Sequence, residues 1–200
     1  MHTRLATTRD VDVVTRSITL AFATDPIWEP ALRRADGRTD HHEPYWRRFV
    51  AAAVDQGTAF MTEGGEAVAI WVPPGGEELP PAGVDALDQF LDEHLETDAV
   101  AAMHTLYERF EASRAPLGPH YYLSLLATHP DHRGHGIGQQ LLAANLASWD
   151  EAGAPAYLES TNPANDHRYA RAGFRPIGGF EAVRDGAWVT AMWRDVGGST

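Results

Sequence analysis

The chain has 200 residues, 44% hydrophobic and 22% charged, with 28 acidic against 16 basic side chains, a formal net charge of −12 and no cysteine. That length suits one domain with a sizeable core. The charge argues against general nucleic-acid binding, which wants a basic face, the missing thiols remove disulfides, thiolate nucleophiles and cysteine-ligated zinc, and no apolar run reaches the ~18–20 residues of a membrane helix. The acidity favours approach of a cationic amine and serves solubility equally. No basic segment followed by an apolar stretch marks the N-terminus as secretory, so a cytoplasmic location is expected.

In chain order, Arg4–Ala6 is a short first strand, and Thr7 or Thr8 can cap a helix over 10–23 with Val11, Val14, Ile18, Leu20 and Phe22 as apolar positions. Asp25-Pro26 breaks it, and 35–42 is polar and loop-like. A second helix over 43–56 carries Tyr45, Trp46, Phe49, Val50 and Val54. Residues 58–62 and 67–72 read as a hairpin, closed by Pro73-Pro74-Gly75-Gly76. The acidic stretch 83–113 has a helical pattern and reads as one or two helices inserted before the central strand. It either shapes substrate choice or simply covers the core.

The central segment is the most informative. An apolar strand over 121–128 runs into His129-Pro130, a Gly-rich turn, and a helix over 136–151 with Ile137, Leu141, Leu142, Leu146 and Trp149 on one face. Unpaired amides and the dipole at a helix start make an anion site. Gly134, Gly136 and Gly138 let a phosphate approach the backbone, and His132, Arg133 and His135 add local positive character. The turn is not a P-loop, which needs Lys followed by Ser or Thr, nor a dinucleotide fingerprint, whose third glycine is here Gln139. The stretch 156–162 reads as a strand ending in a polar turn, its parallel pairing implied by the strand–helix–strand unit. Strands over 175–183 and 187–193 form a last hairpin around Asp185-Gly186. A single domain over 1–196 and a disordered tail over 197–200 are expected.

The pattern Arg133-x-x-Gly136-x-Gly138 resembles the acyl-CoA motif of the GCN5-related N-acetyltransferase (GNAT) family. Downstream, Asn162 at a strand end, Tyr169 seven residues later, and Gly173-Phe174 stand in the order and spacing of that family's second motif. More weakly, Leu5-Ala6-Thr7, Ala21-Phe22-Ala23 with Asp25-Pro26, and Ala67–Trp71 look like puromycin N-acetyltransferase-like members. The resemblance implies an α/β fold: a mixed, twisted sheet of about six to seven strands flanked by helices, holding acyl-CoA where two parallel strands splay. It implies transfer of an acetyl group from acetyl-CoA to an amine, with a small-molecule acceptor, and dimers are common in the family.

On that reading the pyrophosphate sits on the turn Arg133, Gly134, His135, Gly136, Ile137 and Gly138. The peptide-like pantetheine runs along Leu126, Ala127 and Thr128, where an amide near Leu126 can stabilise an oxyanion. Asn162 either fixes the cofactor or caps the short helix after it. An alkyl ammonium with pKa near ~10 must lose a proton. Glu159 is the candidate base or a structural acceptor, with His120 and Glu29 as weaker alternatives. A leaving thiol of pKa ~8.5 is within reach of a Tyr hydroxyl, and Tyr169 holds the place of that acid or packs as a core residue. With no cysteine and no Gly-x-Ser-x-Gly elbow, direct attack in a ternary complex is expected. No functional metal site is expected, because Pro130 and the glycines disfavour gathering His129, Asp131, His132 and His135 on one helix face. The competing class is a non-catalytic acyl-CoA sensor on the same fold.

Overall fold

The computed structural model describes residues 2–198. The strands are β1 (Thr3–Leu5), β2 (Ala59–Thr62), β3 (Ala67–Val72), β4 (Tyr121–Thr128), β5 (Ala156–Ser160), β6 (Arg175–Glu181) and β7 (Trp188–Arg194). The helices are α1 (Val11–Phe22), α2 (Trp28–Ala31), α3 (His42–Asp55), α4 (Pro81–His94), α5 (Thr97–Arg114), α6 (Ile137–Glu151) and α7 (Asp166–Arg171). The seven strands form one mixed sheet in the order β1-β2-β3-β4-β5-β7-β6. Among the described residues only β4 and β5 pair in parallel, as the strand–helix–strand pattern predicts.

Period-two alternation divides the sheet between two cores. Val68 and Ile70 of β3 face a cluster that includes Val14 and Ile18 of α1, Tyr45 and Val50 of α3, and Leu91 and Met103 of α4 and α5. Ala67, Ala69 and Trp71 face the other side, against Leu141, Leu142 and Leu146 of α6. There the Trp71 indole donates to Asn145 at 3.0 Å.

β4 breaks its own alternation. Leu125 and Ala127 join the first core, while Leu123, of the same parity, joins the second. The register explains it: Ile70 pairs with Leu125 but Trp71 pairs with Leu123, so Ser124 is an extra residue and a β-bulge. One added residue turns every later side chain to the opposite face. Leu126 and Thr128 are therefore left half-buried on the α6 side.

Most boundaries fall within two residues of the periodicity reading. The chain after Asp25-Pro26 forms the short helix α2, because the Asp25 carboxylate accepts the Ile27 and Trp28 amides at 2.9 and 3.1 Å and starts a new turn. The inserted segment is two helices, separated at Leu95-Glu96, both extended. At the chain's end, Gly197 donates to Asp150 at 2.7 Å, beside an Arg194–Asp150 ion pair also at 2.7 Å. The expectation of a disordered tail otherwise falls on Ser199 and Thr200, outside the described residues. Among the described residues, no helix is long and apolar enough to cross a membrane.

Candidate active site

A cleft of about 1620 Å³ opens where β4 and β5 part. The two strands are paired only through Tyr121–Ala156, Tyr122–Tyr157 and Leu123–Leu158. Beyond the bulge they diverge, leaving the backbone of 124–128 without a partner on that edge. An unpaired strand edge is a row of free donors and acceptors. Leu126 and Thr128 line the cleft. Ala127, only 1% exposed, turns its methyl into the core, so its backbone alone is available.

At one end of the cleft lies the Gly-rich turn. Gly136 is the N-cap of α6 with φ 72°, and Gly134 has φ 85°, left-handed conformations that glycine adopts without strain. Both face open space: an added Cβ meets nothing within 4 Å at Gly134 and only the Gln140 side chain, at 3.9 Å, at Gly136. Gly138 answers a different need, since a Cβ there would lie 2.5 Å from Thr128 Oγ1. It brings the first turn of α6 against the end of β4. Arg133, Gly134, Gly136, Ile137 and Gly138 all line the cleft, and the Arg133 guanidinium is anchored to the Ala21 carbonyl at 3.0 Å. His135 is not part of the wall; its ring nitrogen lies 3.4 Å from the His132 carbonyl. Asn162 lines the cleft, with its side-chain oxygen accepting the Ala164 amide at 3.0 Å as the cap of a short 3-10 turn.

Glu159 sits on β5 one residue past the last β4 pair. Its side chain is 1% exposed. Oε1 accepts the Tyr157 hydroxyl at 2.7 Å, whereas Oε2 is buried with no hydrogen-bond partner. Arg114, from the end of α5, reaches to 4.0 Å of Oε2 and lies 4.4 Å over the Tyr122 ring. Burial dominates and pushes the carboxyl up to about 7; the Arg114 charge and the Tyr157 and Tyr122 hydroxyls pull it back, while the Glu78 charge adds to the rise. A carboxyl poised there can take and give a proton near neutrality.

Tyr169 of α7 lines the same cleft, its ring edge-on to Phe174 with centroids 6.3 Å apart. Desolvation, with the Asp25 and Asp166 charges, raises its hydroxyl pKa, so it remains a proton donor. His120 also lines the cleft, its Nδ1 2.7 Å from the Gly118 carbonyl and its pKa lowered by burial. Glu29 is elsewhere, paired with Arg33 at 2.6 Å and outside the cleft wall. Among the described residues, no three metal-ligating side chains gather into a site.

Sequence reading misses two parts of this arrangement. Asp25, 7% exposed, joins the start of α2 to the end of β5 by accepting the Thr161 hydroxyl at 2.8 Å; its only local signal is the Asp-Pro break. The gathering of Arg114, Tyr122 and Tyr157 around Glu159 leaves no signal, because these residues come from three separate elements.

The family model for the acetyltransferase (GNAT) domain matches residues 97–176, the span that contains α5, the bulged strand, the turn and α7. That stretch of the chain is similar to the GNAT domain. Solved structures agree on the GNAT fold. An acetyltransferase from Corynebacterium glutamicum, described as histone acetyltransferase HPA2 and related acetyltransferase, is similar at a TM-score of 0.64 and 23% identity, over 97% of this chain and 95% of that one. A mosquito arylalkylamine N-acetyltransferase-like protein, 5b, aligns at 0.66 and 18% over 97% and 99% of the two chains. The polyamine N-acetyltransferase of Drosophila melanogaster aligns at 0.64 and 14% over 97% and 99%. The structural likeness covers 97% of this chain and so takes in α4, which lies before the matched span.

Proposed function

We propose that this GNAT protein is an acyl-CoA-dependent N-acyltransferase that moves an acetyl group from acetyl-CoA to a primary amine of a small molecule, by direct attack in a ternary complex. The observation that carries the reading is Glu159, a buried carboxyl with one unpaired oxygen, at the parting of β4 and β5 on the same cleft as the α6 N-terminus. The open space over Gly134 and Gly136 suits a pyrophosphate, and the unpaired edge of β4 suits a peptide-like arm. Acetyl-CoA supplies an activated acyl carbon.

The chain's residues supply the rest. Leu126 and Thr128 offer backbone groups for alignment, and an amide beside Leu126 is placed to meet negative charge on the thioester oxygen. Glu159 takes the proton from the ammonium, the N–C bond forms as the C–S bond breaks, and the Tyr169 hydroxyl returns a proton to the departing sulfur. The relatives named for arylalkylamine and polyamine acetylation support a small amine as acceptor.

Calorimetric titration with acetyl-CoA tests the reading, with Gly136→Glu beside the wild type. Saturable binding that the variant abolishes supports it, and no binding by folded wild type rejects it. Tyr169→Phe then separates enzyme from sensor: turnover, read as thiol release, falls ~10²–10⁴-fold while acetyl-CoA affinity is kept.

A further inference from the structure

We propose that Tyr157 and Ser113 form a proton exit for Glu159, a chain of hydroxyls that carries the acceptor's proton to solvent without passing through the cleft. The proposal rests on the acyl-transfer reading above. That reaction must dispose of a proton. An ammonium nitrogen holds three and the amide it becomes holds one; the departing sulfur keeps one of the pair lost, and the other must reach water. Glu159, which takes it, is 1% exposed and lies in the wall of the cleft that donor and acceptor fill. Once both are bound, the way out through the cleft is closed.

The hydrogen bonds supply another route. Tyr157 and Glu159 stand two residues apart on β5 and so point to the same face of the sheet, the face that Ser113 and Arg114 of α5 reach. The Tyr157 hydroxyl donates to Glu159 Oε1 at 2.7 Å, and its oxygen lies 2.8 Å from Ser113 Oγ. A phenol has one proton. With that of Tyr157 committed to the carboxylate, Ser113 is the donor to Tyr157. Thr105, on the same helix, gives its hydroxyl proton to the carbonyl four residues back, whereas Ser113 turns to the tyrosine. Tyr157 is fully buried, Ser113 is half-buried, and neither lines the cleft. The chain thus runs from the base, through the core, to a partly exposed hydroxyl outside the cleft.

The neighbouring groups do not offer the same path. Arg114, 4.0 Å from Oε2, does not give up its proton. The Tyr122 hydroxyl also faces the carboxyl, but Tyr122 lines the cleft and leads back to the substrates. In the transfer, an N–H bond of the ammonium breaks and an O–H bond forms on Glu159. The carboxyl turns its O–H toward Tyr157, whose own O–H swings to Ser113, and that of Ser113 to water. Glu159 then gives its proton to the Tyr157 oxygen as Tyr157 gives one to Ser113 and Ser113 gives one to water. Each hydroxyl ends neutral, with its newly received proton pointing inward, the arrangement found around the carboxylate. Burial holds the Tyr157 hydroxyl well above its ordinary pKa, so it relays as a neutral group and is not left ionised.

A light-triggered pH drop tests this on the free and the CoA-saturated protein. Protonation of Glu159 is followed by its carboxyl C=O infrared band, identified by its loss in Glu159→Gln. The wild-type rate should be the same with and without CoA. Ser113 reaches Glu159 only through Tyr157, so Ser113→Ala should leave the carboxyl's titration midpoint in place. It should slow protonation of the CoA-bound protein by about tenfold, the barrier cost of one lost hydrogen-bonded link. Ser113→Thr, which keeps the hydroxyl, should restore the rate. Tyr157→Phe should slow it as much and also raise the midpoint, because it removes a bond to the carboxylate. An unchanged rate in Ser113→Ala, or a wild-type rate that falls when CoA binds, overturns the proposal. CoA binding measured first separates the failures. Its absence removes the acyl-transfer reading and this one with it; its presence with an unchanged rate in Ser113→Ala removes this one alone.

Discussion

Replacing Glu159 with Gln should shift stability in the variant's favour, relative to wild type, as pH rises. The carboxyl titrates at 4.5 in an open chain and at about 7 in the fold, chiefly because burial disfavours its charge. Over that interval the native state binds a proton that the unfolded state has lost, so stability falls as pH rises from about 4.5 to 7. At ~1.36 kcal/mol per unit the full loss is about 3 kcal/mol. The side chain is 1% exposed, so solvent screening takes little of this away. Gln carries no charge and escapes the loss. Its own unmet hydrogen-bonding capacity costs the same at every pH, and all other titrating groups are common to both proteins. The stability of E159Q relative to wild type should therefore rise by about 2 to 3 kcal/mol between pH 5 and pH 8. For a chain of this size, that is about 5–10 °C in melting temperature. Paired chemical or thermal unfolding at the two pH values measures it without any assay of activity. A gap that stays flat, or narrows as pH rises, refutes the placement of Glu159 as a buried carboxyl titrating near neutrality. On the proposed reading, in which Glu159 is the base, the same variant should also lose transfer activity.

Removing the neighbouring cation should act in the opposite sense on the same group. Arg114→Met raises the Glu159 pKa by about one to two units, read from the pH profile of transfer or from carboxyl NMR, and an unmoved profile would show that the 4.0 Å pair carries no coupling. Gly138→Ala places a methyl 2.5 Å from Thr128 Oγ1 and should lower stability by ~1–3 kcal/mol, with Thr128→Ala in the same chain restoring most of it; additive losses would rule out the proposed clash. The buried ring pair His41–His42, 4.6 Å apart and with unpaired nitrogens, has its pKa values lowered from 6.5, first by desolvation. Both rings stay neutral in the fold, so stability should drop as pH falls below about 6.5, and His42→Gln should soften that drop in unfolding curves taken between pH 7 and 5.

What is legible in the sequence follows from how local each cause is. The strand–turn–helix of 121–151 announces itself because alternation, a Pro, three glycines and a 3.6-residue apolar stripe are all short-range signals. The same holds for the Asp185-Gly186 turn, where both residues take positive φ. The bulge at Ser124 is not legible, because an extra residue is defined only against its partner β3. Its consequence is that Ala127 falls to the core while Leu126 and Thr128 face the cleft. Glu159 is legible as a carboxyl on the right strand, but its burial is not, since the atoms that bury and tune it come from α5, β4 and the loop after β3. Asn162 was open between two roles, and the Ala164 amide commits its oxygen to a cap.

The parting of β4 and β5 also has a mechanical side. Halfway across, the sheet is sewn by three residue pairs, where the neighbouring β3–β4 seam has six. One half of the sheet, β1 to β4, and the other, β5 to β7, are thus joined by a short stitch and bridged by α6. A molecule whose own amides run along the open edge replaces the missing stitches and closes the seam. On the proposed reading, a bound donor would make the seam between the two halves firmer, and the protein's stability would rise with donor concentration.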